Sequence, residues 1–367
     1  MPRTLAGCLV AFAVSASFPA FADLYVANSN NASVTVYPPA AVGAVFPSRT
    51  VAGAATALVT PLSVTVDTVN NELYVVDFFG QAIRVYPLGA NGNVAPIRTL
   101  INGVNSGLLQ PRQVIVDIAN NEIAVASISN SIRVYPRTAN GDIAPTRVIS
   151  GTSTLLSNPL SLAFDVANGE YITSTFDAGS GNSGILVFPR TANGNVAPSR
   201  VIAGSSTLLG TNSAPTVAYD AVNTEYVARK NTSPPTPSAV VVFPRTASGN
   251  VAPARAIQGP TTGLIGFGGI VFDSVTNRYF TSHYNAANRV SGFPRTASGD
   301  TAPALILEGG PTGLQQPFGL AVDATGGPSG FGGGLTPIPA LDRVGLAMLF
   351  ALLAMAGFFA VRRHKRA

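Results

Sequence analysis

Short apolar segments alternate with turn-forming residues along most of the chain, and this pattern recurs about every fifty residues. Each copy contains an aromatic residue followed by proline, and successive copies lie 49 to 55 residues apart. The six steps are Tyr37-Pro38, Tyr86-Pro87, Tyr135-Pro136, Phe188-Pro189, Phe243-Pro244 and Phe293-Pro294. A period of this length, built from short strands and Gly, Asn and Pro turns, predicts a β-propeller with one four-stranded sheet per repeat.

The second copy illustrates how four strands are predicted within one repeat. Residues 62–66 alternate apolar side chains with Ser and Thr, which indicates a strand. Residues 73–76 and 83–86 form two further apolar segments. The dipeptide Asn91-Gly92 then marks a turn before an outer strand at 99–101. Each repeat therefore predicts one propeller blade.

The copies are offset at the two ends of the repeat region. Residues 24–26 match a second strand, but no first strand precedes them. Residues 317–323 closely match residues 61–67, which form the first strand of the second copy. We therefore expect residues 23–325 to form an all-β, six-bladed propeller whose first blade is completed by both termini. Such closure removes the open sheet edge that would otherwise template aggregation.

An aspartate ends the first strand of every repeat. Six carboxylates around a central metal are one interpretation, and six copies of a turn cap are the other. An Asn three residues later in four of the copies favours the cap, because Asp accepts N–H bonds from such turns. We therefore expect turn caps, and no metal, at Asp67, Asp117, Asp165, Asp220, Asp273 and Asp323.

Two further charged positions recur. A glutamate follows that aspartate by five residues at Glu72, Glu122, Glu170 and Glu225, until Arg278 breaks the series. The outer segment carries Arg49, Arg98, Arg147, Arg200 and Arg255, with Leu305 in the last copy. We expect Arg84 and Arg133 to pair with Glu72 and Glu122, as exposed cross-strand pairs worth roughly 0.2–1 kcal/mol.

The phrase Pro-x-x-Val-x-x-Asp, followed by Tyr-Val and Ile-x-Val-Tyr, resembles NHL-type propeller repeats across residues 23–325. This resemblance implies binding of proteins, peptides, glycans or nucleic acids, with hydrolase or lyase activity in a few members. The charge argues against nucleic acid, because Lys and Arg together equal Asp and Glu, at 16 each, between Asp23 and Pro337. A neutral domain has no basic face with which to neutralise phosphates.

The reactive side chains limit the possible chemistry. Cys8 is the only cysteine, which excludes an intrachain disulfide and thiol catalysis in the propeller. His283 is the only histidine between Asp23 and Pro337, so a site with several His ligands is excluded. The chain has no Gly-x-Ser-x-Gly motif. A Ca²⁺ site made of oxygen ligands, or catalysis by carboxylates, stays open.

The loop after the second strand differs in every repeat, and in a propeller these loops share one face around the channel mouth. Aromatic rings beside polar groups suit a peptide or glycan, although solvated loops with rings packed on their own blades are the plainer alternative. The candidate ligand-binding residues are Asp77, Phe78, Phe79, Phe176, Asp177, Arg229, Lys230, His283 and Tyr284.

These observations favour a non-enzymatic module that binds an extracellular protein or glycan and needs no cofactor. The alternative is a secreted propeller hydrolase or lyase that uses channel-mouth carboxylates or Ca²⁺. A spacer or matrix component with no specific ligand is the third possibility.

Residues 1–22 predict a secretory signal peptide. Arg3 supplies the positive start, an apolar stretch follows, and Ala-Phe-Ala at 20–22 fits the cleavage pattern. Cleavage there makes Asp23 the mature N-terminus. The alternative is a lipobox at residues 5–8 with lipidation of Cys8, but this motif precedes the apolar stretch instead of following it.

The C-terminal part of the chain predicts a helix that crosses a membrane. Residues 326–337 form a Gly-rich linker, and the uncharged residues 344–361, as a helix of about 27 Å, are long enough to cross a bilayer. Basic residues at 362–366 predict that the tail stays inside and the propeller lies outside. The protein is therefore expected to be exported to the cell envelope or surface.

A short motif precedes this helix, at Ile338, Pro339, Ala340 and Leu341. With the helix and the Arg-rich end, it resembles the IPTL-CTERM sorting signal of Gram-negative bacteria, although Ala340 stands where the family has Thr. The resemblance implies a membrane-embedded protease that cuts near the motif and removes the helix. Retention of the helix as an anchor is the alternative.

Overall fold

The computed structural model describes residues 22–323, except 39, 180, 212, 233–237 and 285–286. Within this part the strands form six four-stranded antiparallel sheets, which are the six blades. Blade 1 contains Leu24–Asn28 (β1), Ser33–Tyr37 (β2), Arg49–Val51 (β3) and Pro317–Val322 (β24). Blade 2 contains Pro61–Asp67 (β4), Glu72–Asp77 (β5), Ala82–Pro87 (β6) and Arg98–Ile101 (β7). Blade 3 contains Pro111–Asp117 (β8), Glu122–Ser127 (β9), Ser131–Pro136 (β10) and Arg147–Ser150 (β11).

The remaining blades repeat the same order from the inner to the outer strand. Blade 4 contains Leu162–Asp165 (β12), Glu170–Thr175 (β13), Gly184–Pro189 (β14) and Arg200–Ala203 (β15). Blade 5 contains Thr216–Asp220 (β16), Glu225–Lys230 (β17), Ala239–Pro244 (β18) and Arg255–Ile257 (β19). Blade 6 contains Ile270–Asp273 (β20), Arg278–His283 (β21), Arg289–Pro294 (β22) and Leu305–Leu307 (β23). Short 3-10 turns follow five of the outer strands, at Ala54–Thr56, Thr152–Thr154, Ser205–Thr207, Pro260–Thr262 and Gly310–Thr312.

The ring closes through blade 1, where β24 from the C-terminal side pairs with β1 from the N-terminal side. In this antiparallel pair Ala321 lies opposite Tyr25 and Leu320 opposite Val26. The first strands of neighbouring blades contact each other around the whole axis, including β20 with β24 and β24 with β4. The structure therefore confirms an all-β, six-bladed propeller completed by both ends of the repeat region.

Main-chain hydrogen bonds also join the blades at the perimeter. The N–H of Gly92, in the turn after β6, donates to the carbonyl of Thr50 in blade 1 at 2.6 Å. Asn91 Oδ1 accepts the Thr50 N–H at 3.0 Å, and Gly92 has a φ of 77°, which explains the Asn-Gly turn. Equivalent parallel bridges occur at all six junctions, including Gly43 of blade 1 with Leu307 of blade 6.

The blades are apolar on both faces because each sheet packs between two others. Side chains such as Val64, Val75 and Ile115 are fully buried, and four clusters of buried apolar residues fill the spaces between sheets. Sheets that are covered on both faces leave little surface for charged side chains, which agrees with the low share of charged residues, 11%.

Ion pairs link neighbouring blades at four junctions, near the first residue of the second strand, which is Glu72 in blade 2. Glu72 accepts two bonds of 2.7 Å from Arg98 of its own blade, and one of 2.6 Å from Arg137 of blade 3. Three later junctions repeat this arrangement, with Glu122 between Arg147 and Arg190, Glu170 between Arg200 and Arg245, and Glu225 between Arg255 and Arg295.

The expected pairs of Arg84 with Glu72 and of Arg133 with Glu122 are wrong. Arg84 lies opposite Val75 of β5, and its Nε pairs with Asp77 at 3.0 Å. Asp77 ends β5, whereas Glu72 begins it. Arg133 makes no ion pair within the residues that the structure covers.

The predicted signal peptide at 1–22 (apart from Ala22), the linker at 326–337 and the segment 338–367, with its sorting motif and apolar helix, lie outside the described residues. Among the residues that are described, no helix has the length and apolar character needed to cross a membrane.

Candidate functional site

A cavity of about 440 Å³ opens at one end of the ring, where the second-strand loops and the starts of the first strands meet. Every blade contributes to its wall. The lining residues are Thr60, Leu62, Phe78, Phe79, Arg112, Asn158, Leu160, Phe176, Ser213, Ala214, Phe267, Tyr284 and Phe318. The cavity therefore lies on the propeller axis, and its volume falls within the range of about 300–1,000 Å³ that is common for ligand pockets.

Aromatic rings dominate this wall. Phe78 and Phe79 pack edge to face with ring centroids 4.8 Å apart, and Tyr284 and Phe318 do the same at 5.8 Å. Phe79 is 63% exposed, so a large apolar surface faces solvent at the rim. Such rings supply rigid contact area, and Tyr adds a polar tip.

Arg112 is the one charged residue among the lining side chains. Its guanidinium lies over the ring of Phe78, 4.7 Å from the centroid, and its Nη2 is 3.4 Å from Asn158 Oδ1. Its Nε is buried without a hydrogen-bond partner, and none of the described carboxylates forms an ion pair with it. Burial lowers the pKa of Arg112, but guanidinium groups stay protonated in proteins. Within the described residues, the cavity therefore holds a cation that forms no ion pair with a carboxylate.

The structure brings four of the candidate loop residues together at the cavity: Phe78, Phe79, Phe176 and Tyr284. Asp77 is fully buried behind them, where it accepts the Thr60 N–H at 2.7 Å and pairs with Arg84. Its role is to fix the loop.

Besides Asp77, three further charged candidates and the histidine do not line the cavity. Asp177 accepts the N–H groups of Gly179 and Gly181 at 2.7 and 2.9 Å, which orders its own loop. Lys230 is half-buried at the end of the second strand of blade 5. Neither side chain is among those that line the cavity.

Arg229 and His283 are fully buried between blades 5 and 6. Arg229 donates to Asn231 and, at 3.0 Å, to the carbonyl of Ile265, and burial lowers its pKa to about 9. His283 Nε2 lies 3.1 Å from Ser291 Oγ. Burial, with the nearby Arg229, lowers the pKa of His283 to about 2, so the ring is neutral at physiological pH.

The strand-ending aspartates adopt the geometry of turn caps in five blades. Asp67 Oδ1 accepts the N–H of Asn70 at 2.9 Å, and its Oδ2 accepts the side-chain amide at 2.7 Å. Asp117, Asp165, Asp220 and Asp273 make comparable bonds to the residues after them. Asp323 instead accepts the main-chain N–H of Asp23 and the Tyr25 hydroxyl, and so joins the two ends of blade 1.

These six carboxylates are spread over six blades, and the described residues contain no group of three or more His, Cys, Asp or Glu that could hold a metal ion. In the part of the chain that the structure covers, the cavity wall offers one cation, hydroxyls and an amide to a ligand.

Sequence reasoning missed more than half of the lining residues, including Arg112, Leu160, Phe267 and Phe318. A signal for several of them was present in the repeats. The position five residues before the strand-ending aspartate carries Leu62, Arg112, Leu160, Pro215, Gly268 and Phe318. This position varies within an otherwise similar sequence motif, and it lies near the start of each first strand. Its variation could therefore have indicated side chains that face a ligand.

No protein-family model matches the sequence, and no curated protein is similar to it in sequence. The fold is similar to a chain in the crystal structure of a nidogen/laminin complex, with a TM-score of 0.56 and 12% identity, over 82% of this chain and 98% of that chain. It is also similar to the hydrazine synthase of Kuenenia stuttgartiensis, with a TM-score of 0.51 and 14% identity, over 80% of this chain and 84% of that chain. At these identities the likeness concerns the fold alone.

Proposed function

We propose that this protein is an exported, surface-displayed or membrane-anchored propeller that binds a protein or glycan without catalysing a reaction. The observation that carries the proposal is the axial cavity, to which all six blades contribute and in which aromatic rings predominate. A concave, mostly apolar site with a few polar groups is the usual form of a binding pocket.

The carboxylates near the mouth support this function over the hydrolase or lyase alternative. Asp77 is buried and occupied by main-chain N–H groups and Arg84, and Asp177 orders its own loop. A general acid or base must reach its substrate directly or through one water. Neither Asp77 nor Asp177 is among the residues that line the cavity.

Binding of the purified full-length chain to glycan and peptide arrays tests this function. We expect a ligand whose binding is lost in Phe79→Ala, because Phe79 is 63% exposed at the rim of the cavity. Phe46→Ala is the matched control, since Phe46 is 80% exposed but does not line the cavity. Ligands that both variants bind as well as the parent, or a complete absence of array ligands, would contradict the proposal.

The proposed export and sorting of the protein are tested separately, by the two ends of the mature chain. Mass spectrometry of the chain expressed in a Gram-negative host is expected to give Asp23 as the first residue. A C-terminus near Ile338 supports sorting with removal of the helix, and a C-terminus at Ala367 supports a retained anchor. A chain that keeps Met1 in the cytoplasm refutes export.

A further inference from the structure

We propose that the axial cavity binds a carboxylate carried by an apolar or aromatic group, with the Arg112 guanidinium as the carboxylate partner. This proposal rests on the binding function above and names the class of ligand. It follows from the juxtaposition of a cation that has no anionic partner with a wall of aromatic rings.

Arg112 differs from most arginines of the structure. Eleven other described arginines form ion pairs with Asp or Glu, and of the four that do not, namely Arg112, Arg133, Arg229 and Arg278, only Arg112 lines the cavity. Its contacts are the Phe78 ring and a 3.4 Å approach to Asn158. Its Nε is buried without a hydrogen-bond partner, a feature that it shares with several other arginines, so what sets Arg112 apart is its place in the cavity wall without an ion pair.

Arg112 is half-buried, so its guanidinium has lost part of its hydration without gaining an anion. Removing a charge from water is unfavourable unless the charge is paired, and planar guanidinium groups match carboxylates in a two-bonded geometry. A carboxylate that enters the cavity would therefore gain charge-assisted hydrogen bonds and offset a desolvation that the folded protein has already undergone. A neutral ligand of the same shape gains neither.

The rest of the wall favours an apolar body for this ligand. Phe78, Phe176, Phe267 and Phe318 lie around the cavity with Leu62 and Leu160. A sugar carries hydroxyl groups on most of its carbons, and each one needs a partner when it is buried. The lining supplies few such partners, so an aromatic or aliphatic side chain fits this wall better than an acidic glycan.

Two sources share this chemistry: the C-terminal residue of a protein, if its side chain is apolar, and a free aromatic or aliphatic acid. The rim permits either one, because Phe79 is largely exposed where a longer chain would leave the cavity. A protein C-terminus would be recognised through its last side chain and its terminal carboxylate together.

The composition of the chain provides a direct assay, because the protein contains no tryptophan. N-acetyl-L-tryptophan and N-acetyl-L-tryptophanamide can therefore be titrated with the full-length chain, with the probe's own fluorescence as the signal. We expect the acid to bind at least about tenfold more tightly than the amide, which corresponds to one charge-assisted interaction. Equal affinities of acid and amide would overturn the role of Arg112 and leave the binding function standing.

Two variants locate the effect. Arg112→Gln is expected to remove the preference for the acid over the amide. Arg133→Gln should keep this preference, because Arg133 also forms no ion pair among the described residues but lies outside the cavity. Retention of the preference in a folded Arg112→Gln protein, checked by circular dichroism, would refute the assignment. The comparison of acid with amide on the unmodified chain stays decisive even if this variant fails to fold.

The remaining outcomes separate this inference from the proposed function. If neither probe binds but array ligands depend on Phe79, the carboxylate inference fails alone. If neither probe binds and no array ligand is found, both fail. A decapeptide ending in Trp, with a free or an amidated C-terminus, distinguishes the sources: tight binding of its free acid indicates a protein terminus, and binding of the small acid alone indicates a free carboxylic acid.

Discussion

Replacement of Glu72 by Gln tests whether the ion pairs between blades stabilise the ring. The Glu72 side chain is 9% exposed and accepts hydrogen bonds from Arg98 of its own blade, Arg137 of the next blade and the Tyr74 hydroxyl, all between 2.6 and 2.7 Å. The substitution keeps the shape and removes the charge. It leaves two guanidinium groups, 18% and 14% exposed, without their shared anion.

The size of the effect follows from this burial. Loss of one partner from a buried ion pair costs about 3–5 kcal/mol, whereas exposed pairs are worth about 0–1 kcal/mol. Because both arginines keep some contact with water, we expect a loss of unfolding free energy near the lower limit, about 3 kcal/mol. Burial by itself raises the pKa of Glu72, but hydrogen bonds from Arg98 and Tyr74 outweigh it and hold that pKa below its usual value. The contribution is therefore present above the unfolded pKa and is lost as the pH falls through the folded one.

Equilibrium unfolding in urea at pH 7, followed by far-ultraviolet circular dichroism, measures this difference as a shift of the midpoint. Glu308→Gln is the matched control, since Glu308 is 48% exposed and its contact with Arg289 is 3.9 Å long. We expect the control to change stability by less than about 0.5 kcal/mol. Equal losses in the two variants, or no loss in Glu72→Gln, would refute the role given to the blade junctions.

Two further changes probe the closure of the ring. Gly319→Ala is expected to lower the unfolding free energy by about 1–3 kcal/mol, because the added Cβ would lie 2.4 Å from Ser63 Cα. Gly89→Ala, with no atom within 4 Å of its Cβ, should leave the urea midpoint nearly unchanged, and equal midpoints for the two variants would contradict this packing. Burial, with the nearby Asp23 carboxylate, raises the pKa of Asp323 to about 6, so the folded state binds this proton more tightly than the unfolded chain does. In the unprocessed chain, where the Asp23 nitrogen is a peptide N–H and not a charged amino terminus, stability should therefore fall as the pH rises from 4 to 6. Asp323→Asn should remove this loss in melting curves, and an unaltered pH profile of the variant would refute it.

The architecture could be predicted because local signals and the period agree. The six aromatic-proline steps set the blade count, and alternating runs such as 62–66 set the strands. Closure was predictable because no first strand precedes β1 in the sequence, whereas residues 317–323 match the first strand of the second copy at 61–67. In the structure β24 pairs with β1 as expected.

Contacts between blades could not be read from a single repeat. Arg137 reaches Glu72 from the next blade, a contact set by how two sheets stack and not by the register within one sheet. The burial of Arg229 and His283 likewise depends on the neighbouring blade, so two positions that we predicted in ligand-binding loops are buried between blades in the fold. Of the candidate site, the four aromatic residues that follow second strands were predicted because their loops vary. Arg112 was missed because it lies within a strand motif that otherwise repeats.

The repeats separate the residues that hold the ring from those that face a ligand. The end of the blade that carries Glu72 is alike in blades 2 to 5, where each glutamate also pairs with an arginine of the next blade. At the junction of blades 6 and 1, Arg278 replaces the glutamate and Leu305 replaces the outer-strand arginine, so both members of the pair are lost together. That joint loss is what a structural pair requires, because either charge alone would be left without a partner. Arg112 shows the opposite behaviour: it is a single charge at a variable position, with no matching acid in the described structure. This positive charge lies at the end of the ring where the blades differ. It is therefore available to a ligand that carries a negative charge.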